Sequence, residues 1–172
     1  LTNVPLFDTS KVTDMQSMFS GCTSLTTVPL FDTSKVLNMN SMFNSCAALT
    51  TVPSFDTSKV TTMHGMFNMC SVLVNAPLLN TSMVIDMQAM FGNCKSLTAV
   101  PLYNTINATN VESMFAYCNN VEGGALALYQ QMSSQVVVPE SHRECFYRCG
   151  RDTATGQAEL AQIPTSWGGT MA

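Results

Sequence analysis

The 172-residue sequence predicts a repeat solenoid with a 24-residue period, because three kinds of residue recur in register. Cysteines, prolines and Met-Phe pairs each recur five times at that step. The cysteines are Cys22, Cys46, Cys70, Cys94 and Cys118, the prolines run from Pro5 to Pro101, and the pairs run from Met18-Phe19 to Met114-Phe115. A fixed period of about 20–50 residues indicates a solenoid, in which each unit buries its apolar face against its neighbours.

Composition agrees with stacked apolar units and excludes two classes of protein. Apolar residues make up 46% of the chain and charged residues only 10%, against about 25% charged residues in an average domain. A net charge of −4 excludes a strongly basic nucleic-acid binder, because phosphate binding needs clustered Lys and Arg. No apolar run approaches the ~20 residues that span a bilayer, so no membrane span is expected in this segment.

Each repeat predicts a short strand, a turn and a short helical turn, in that order. Leu25–Leu30 has apolar residues at its first, fourth and sixth positions, the spacing of a leucine-rich repeat, in which a short parallel strand points alternate side chains inward. Pro29 lacks an N–H group, which keeps the strand short. Phe31–Lys35 is rich in turn-forming residues. Val36–Cys46 then predicts an extended piece leading into one helical or 3₁₀ turn.

The repeats predict two regions. Residues 121–172 predict a degenerate sixth coil and a C-terminal cap, since Cys145–Cys149 resembles the Met-Phe-x-x-Cys block out of phase. All four lysines precede this tail, and all three arginines lie in it. Because Leu1 enters directly in repeat phase, we expect more coils or another domain before it. The array itself is predicted to cover residues 1–120 as five repeats: 1–24, 25–48, 49–72, 73–96 and 97–120.

The repeat resembles the BspA-like branch of leucine-rich repeats found in bacterial surface proteins. The motif F-D-T-S-K-V-x-x-M-x-x-M-F-x-x-C-x-x-L carries the resemblance and is complete at Phe7–Leu25 and Phe31–Leu49. The resemblance covers roughly residues 1–120 and implies a right-handed parallel β solenoid within a longer exported protein. Members are mostly discussed as adhesins or host-binding surfaces, and similar arrays occur in phage-encoded proteins. The family brings no catalytic residues.

Three side-chain sets suggest chemistry, and for each we favour a structural interpretation. The cysteine column could bridge or bind metal, but buried thiols also behave as small apolar side chains. His142, Cys145 and Cys149 have a spacing that zinc could use, yet both cysteines map onto core positions of the repeat. Asp8, Asp32 and Asp56 offer few oxygen ligands for calcium, and a lysine three residues after each one suggests charge compensation. No metal or other cofactor is therefore predicted.

Two sets of residues are candidates for ligand contact. Strand alternation would put Thr27, Pro29 and Phe31 outward, which gives an exposed apolar column that includes Phe31, Phe55 and Tyr103; the alternative is that the chain bends there and buries the rings. The fourth unit departs most from its siblings, with apolar residues at otherwise polar positions. The candidate contact residues lie just before this unit, at its boundary or within it: His64, Met69, Val72, Val74, Asn75, Met83 and Ile85.

These observations predict a non-enzymatic recognition module of a surface or virion-associated protein that binds a host protein or glycan. The alternative is a structural spacer or assembly element of a larger surface or phage tail protein. Exposed Phe31 and Phe55 would favour binding. An enzyme is not predicted, because two histidines leave no set of nucleophile, base and orienting group. The expected location is extracellular or at the cell surface.

Overall fold

The computed structural model describes residues 2–169 and shows coils stacked in parallel, each above the next. Isolated parallel bridges connect equivalent residues at steps of 24, namely Asp14, Asn38, Thr62, Asp86 and Asn110. The stack then continues from Asn110 to Ser141, a step of 31 residues. The tail therefore inserts extra chain before one more coil. No helix within residues 2–169 has both the length and the apolarity that a membrane crossing requires.

The Met-Phe turn holds the coils together through alternate backbone N–H groups. Ser41 N–H donates to the carbonyl of His64 at 2.8 Å, and Phe43 N–H donates to that of Met66 at 2.9 Å. The N–H between them, that of Met42, donates to Met39 three residues back. The predicted helical or 3₁₀ turn does not form here, because a continuous helix would need the N–H groups that reach the next coil.

The same turn requires a left-handed backbone at two positions in each coil. Ser41 has a φ of 54° and Ser45 a φ of 61°. The equivalent positions carry Gly65 and Met69 in the next coil, at 59° and 64°. Residues with a Cβ atom pay roughly 1–2 kcal/mol for this conformation. Ten non-glycine residues within the described range have positive φ, so the stacking must compensate for substantial local strain.

The strand predicted at Leu25–Leu30 is absent, and residues 2–169 contain isolated bridges rather than extended strands. On this side of the coil few backbone hydrogen bonds join neighbouring coils, such as that from Thr50 N–H to the carbonyl of Thr26 at 3.0 Å. The proline that follows in every repeat has no N–H to donate. The hydrogen-bond ladder therefore lies on the Met-Phe side, where no proline interrupts it.

Two columns of aromatic rings fill the core and pack against each other. In the first, Phe43 stacks on Phe67 with ring centroids 5.6 Å apart. In the second, Phe31 stacks on Phe55 at 6.3 Å, and Phe55 also lies against Phe43 at 6.2 Å. Offset stacking at these distances contributes about 0.5–1.5 kcal/mol per pair beyond the area buried.

The exposed aromatic column was therefore the wrong alternative, because the chain bends after each proline. Phe31 is 2% exposed, while Phe55 and Tyr103 are each 4% exposed. The hydroxyl of Tyr103 donates to the carbonyl of Pro77 at 2.7 Å, and burial raises the pKa of this hydroxyl. Phe31, Phe55 and Tyr103 are core residues and offer no ring face to a ligand.

Buried threonines form a polar column in the core of the array. The hydroxyl of Thr33 donates to the carbonyl of Asp56 at 2.9 Å, and that of Thr57 donates to the carbonyl of Asn80 at 2.9 Å. In the last array coil Thr105 instead accepts from the Gln135 side chain at 2.7 Å. Each buried hydroxyl is thus satisfied, and the tail supplies the partner that a further coil would otherwise provide.

Two helices close the C-terminal end. Helix α1 spans Ala125–Ser133, helix α2 spans Ala154–Leu160, and a 3₁₀ helix spans Thr165–Trp167. Glu159 of α2 accepts hydrogen bonds at the α1 N-terminus, from Gly124 N–H at 3.2 Å and Leu126 N–H at 3.1 Å. A carboxylate at this position also complements the helix dipole. The two helices therefore form one unit over the last coil.

We expect Gly65→Ala to lower the free energy of unfolding by about 1 kcal/mol, because alanine is strained at positive φ. The space itself is sufficient, since a Cβ at Gly65 would meet its nearest neighbour, Ser41 Oγ, at 3.5 Å. The matched reverse change is Ala89→Gly, at the equivalent position with a φ of 51°. It should leave stability unchanged or raise it. Urea denaturation measures the free energy of unfolding of both variants. If Ala89→Gly were destabilised while Gly65→Ala were unchanged, the left-handed backbone conformation at these positions would be contradicted.

We expect Thr57→Val to lower the free energy of unfolding by about 1–2 kcal/mol, because it removes a buried hydrogen bond without changing side-chain size. Thr57 is 1% exposed. Thr51→Val is the control, since Thr51 is exposed and β-branched like its replacement. Thermal unfolding followed by circular dichroism compares the two. Equal effects would show that the Thr57 hydroxyl contributes nothing specific.

Candidate binding surface

A column of exposed leucines runs along the side of the array that lacks the hydrogen-bond ladder. The leucine column comprises Leu6, Leu30, Leu78 and Leu102, which are 68%, 61%, 79% and 63% exposed, with Ser54 at the equivalent place in the third coil. Alternation predicts Leu30 inward, but the bend after Pro29 turns Phe31 into the core and Leu30 out. Exposed apolar residues aligned along one face are typical of a contact surface.

Unpaired backbone groups accompany these leucines. Within residues 2–169, the N–H and C=O groups of Leu30, Leu78 and Leu102 make no hydrogen bond to the protein. Exposed threonines, Thr27 and Thr51, lie three residues before Leu30 and Ser54 on the same segments. The face therefore combines apolar contact area with donors and acceptors that can bind a peptide or sugar hydroxyls.

The predicted contact residues of the fourth unit are exposed but do not form one cluster. Val72 and Val74 are 40% and 43% exposed and precede Leu78 on the same segment. Asn75, which directly follows Val74, is also exposed. Met83 and Ile85, at 51% and 49%, follow the turn at Asn80. Ile85 lies 11 residues after Val74, nearly half a coil away. Val72, Val74 and Asn75 therefore precede Leu78 on its own segment, whereas Met83 and Ile85 follow on the segment after the turn.

His64 and Met69 lie on the Met-Phe side. His64 is half-buried, with Nδ1 3.7 Å from a carboxylate oxygen of Asp86 in the next coil. Met69 is 49% exposed, and its sulfur accepts from the Ser45 hydroxyl at 3.6 Å. These two contacts join neighbouring coils. They do not bring His64 or Met69 to the leucine column.

The aspartates of the Asp-Thr-Ser-Lys turns have a local role that explains their replacement by asparagine. The Ser34 hydroxyl and N–H both donate to Asp32, at 2.7 Å and 3.0 Å, and these bonds hold the pKa of the Asp32 carboxyl below its usual value. Asn80 accepts the same two bonds from Ser82. The turn needs an acceptor oxygen rather than a charge.

The cysteine column lies in the core, as the repeat spacing predicts. All seven thiols lie within the described range and are free, and Cys46, Cys70, Cys94 and Cys118 are fully buried. Each of these four donates through Sγ to the carbonyl of a phenylalanine in the preceding coil, at 3.0–3.2 Å. Burial raises the pKa of Cys46 to about 11.

The histidine and cysteines of the tail are also packed as structural residues. His142 stacks on Trp167 with ring centroids 4.2 Å apart, and Cys145 and Cys149 are fully buried. Among residues 2–169 no three His, Cys, Asp or Glu side chains are placed to hold a metal ion. The ring of His142 therefore contributes to the packing of the tail.

Comparisons with known proteins identify a family and a fold. The family described as "Mycoplasma protein of unknown function, DUF285" matches residues 2–78 and 48–135. No curated protein matches the sequence. Among solved structures, a leucine-rich repeat protein of T. pallidum is similar with a TM-score of 0.52 and 17% identity, over 93% of this chain and 81% of that one. The chain therefore has the fold of a leucine-rich repeat solenoid.

Two further solved structures are similar to a lesser degree. A leucine-rich repeat protein from Bacteroides ovatus gives a TM-score of 0.41 at 20% identity, over 70% of this chain and 38% of that one. A leucine rich cell surface protein from Faecalibacterium prausnitzii gives 0.41 at 22% identity, over 65% and 36%. Both similarities are too low to add to the fold assignment.

We expect iodoacetamide to label Cys22 in the native protein and to leave the other six cysteines unmodified at pH 8. Cys22 is half-buried, whereas the others are buried, and burial keeps a thiol such as Cys46 protonated at that pH. Mass spectrometry of peptides after labelling measures this, with a urea-unfolded sample as the control. Rapid native labelling of Cys70 or Cys94 would contradict the burial of the column.

Proposed function

Because the chain belongs to the family described as "Mycoplasma protein of unknown function, DUF285", we propose that it is a non-enzymatic recognition module of the BspA-like type. It winds as a right-handed parallel solenoid, with five repeats over residues 1–120 and a sixth coil and cap over 121–172. It acts outside the cell or at its surface, as one part of a longer chain, and binds a host protein or glycan. The resemblance of its repeat motif supports this location.

The observation that carries the proposal is the leucine column. Keeping leucines 61–79% exposed at four of five equivalent positions has no packing benefit within the coil, and an aligned apolar surface is a liability unless a partner covers it. Val72 and Val74 widen this surface in the fourth unit. Solenoids commonly use such extended surfaces for partner recognition.

A structural spacer is the second candidate, and the aromatic core favours it. Stacked rings run without interruption from Phe19 to Phe146, at centroid distances of 5.2–6.2 Å. Such a core makes a stiff rod. Because Phe31 and Phe55 are buried, the exposed aromatic surface that would have favoured binding is absent at these two residues. The leucine column is the reason that recognition is preferred.

We expect the unmodified protein to bind selected components of a glycan and extracellular-matrix array, and a variant with Leu30→Ser, Leu78→Ser and Leu102→Ser to bind them at least about tenfold more weakly. The matched control carries Leu37→Ser, Met83→Ser and Ile85→Ser, which removes three apolar side chains of 48–51% exposure from another face. Both triple variants change only exposed residues, so both should fold.

The outcomes separate the two candidate functions. Loss of binding in the leucine variant alone supports recognition through the leucine face. Loss in the control alone moves the contact to the face of Met83 and Ile85. If the unmodified protein binds nothing, the spacer becomes the better account.

A further inference from the structure

A groove at the C-terminal end of the molecule lies away from the leucine column. It has a volume of about 870 Å³ and is bordered by the turn at Glu144–Arg148, by α2 and by the 3₁₀ helix. Exposed Ala161 provides apolar surface, and the polar lining side chains are those of Glu144, Tyr147, Arg148, Arg151, Gln157 and Thr165. This volume is within the range of roughly 300–1,000 Å³ that is usual for small-molecule sites.

Two tyrosines hold the guanidinium of Arg148 in place. Its central carbon lies 5.6 Å from the ring centroid of Tyr117 and 5.4 Å from that of Tyr147. The two rings meet edge to face at 5.3 Å. Cation–π contact orients the guanidinium without using its N–H groups. A ligand that binds those groups therefore costs the side chain little further conformational entropy.

The lining of the groove carries two arginines against one glutamate, although the chain has a net charge of −4. Within residues 2–169, neither Arg148 nor Arg151 forms an ion pair, and neither guanidinium donates a hydrogen bond to the protein. Glu144 is the one acidic residue lining the groove, and its carboxylate lies 3.5 Å from Nη2 of Arg143. Two guanidinium groups are therefore available to an anion.

We propose that this groove binds an acidic sugar, one that carries a carboxylate or a sulfate group. Guanidinium groups bind such anions through paired N–H donors. The half-buried ring of Tyr147 and the exposed methyl group of Ala161 provide contact area for a sugar ring, and Gln157 lies at the same wall to reach hydroxyls. An acidic peptide would share the charge but would not need a groove of this size. The site is independent of the leucine face.

The test is a titration of the full 172-residue protein, followed by NMR or calorimetry, with 3′-sialyllactose, which carries a carboxylate, and with 3′-sulfolactose, which carries a sulfate and no carboxylate. Lactose is the neutral match to the first probe, and a glutamate hexapeptide tests the acidic-peptide alternative. The two acidic sugars separate the carboxylate source from the sulfate source.

Arg148→Gly is the informative variant. It removes the guanidinium at a position where φ is 59°, which glycine adopts without strain, and Gly21 occupies the equivalent place in the first coil at 74°. The variant should therefore fold. Lys95→Gln is the matched control, because it removes one exposed cation that does not line the groove.

We expect at least one acidic sugar to bind at least tenfold more tightly than lactose, with binding lost in Arg148→Gly and kept in Lys95→Gln. The absence of binding by both acidic sugars would overturn the proposal. Equal binding of the hexapeptide, or equal loss in the two variants, would also overturn it. None of these results bears on the leucine face, whose variants and ligands are separate.

Discussion

Alternate backbone N–H groups of each Met-Phe turn donate to the next coil, and the rest of the structure depends on this pairing. The bonds from Ser41 to His64 and from Phe43 to Met66 set the coils in register, so each side chain is covered by its equivalent one repeat later. Rings then stack on rings and threonines bond to the next backbone. A charge in such a column would face its own copy, which explains why only 10% of the residues are charged.

The same pairing decides which surfaces are left for partners. The hydrogen-bond ladder lies on the Met-Phe side of each coil, and a proline interrupts backbone pairing on the opposite side. The backbone groups of Leu30 and Leu78 therefore stay unpaired beside their exposed side chains. At the C-terminal end the extra chain of the tail breaks the repetition. There Arg148 can occupy a position between two tyrosines that the array fills with residues such as Ser45. Repetition thus produces an extended apolar face, and its interruption produces a groove lined by arginines.

Several features of the core could be predicted from spacing, and others could not. Cys46, Met42 and Phe43 recur in phase and are buried as the solenoid requires. The burial of Thr33 was missed because the surrounding Asp-Thr-Ser-Lys turn is polar throughout. A usable signal was present, since threonine occupies this place in all five repeats whereas the next position changes from serine to Ile106. A position that keeps the same residue in every repeat, while the next position varies, is more typical of the core than of the surface.

The sequence by itself determined that the chain is a stack of similar coils, because a period is a property of spacing alone. Only the tertiary structure decided which side of each coil faces outward. After Pro29 the backbone bends instead of continuing as a strand, and Phe31 turns inward because a second aromatic column packs beside Phe19 and Phe43. That contact joins residues far apart in the chain, so strand alternation could not predict it. The groove at Arg148 likewise exists only once the tail has folded back over the last coil.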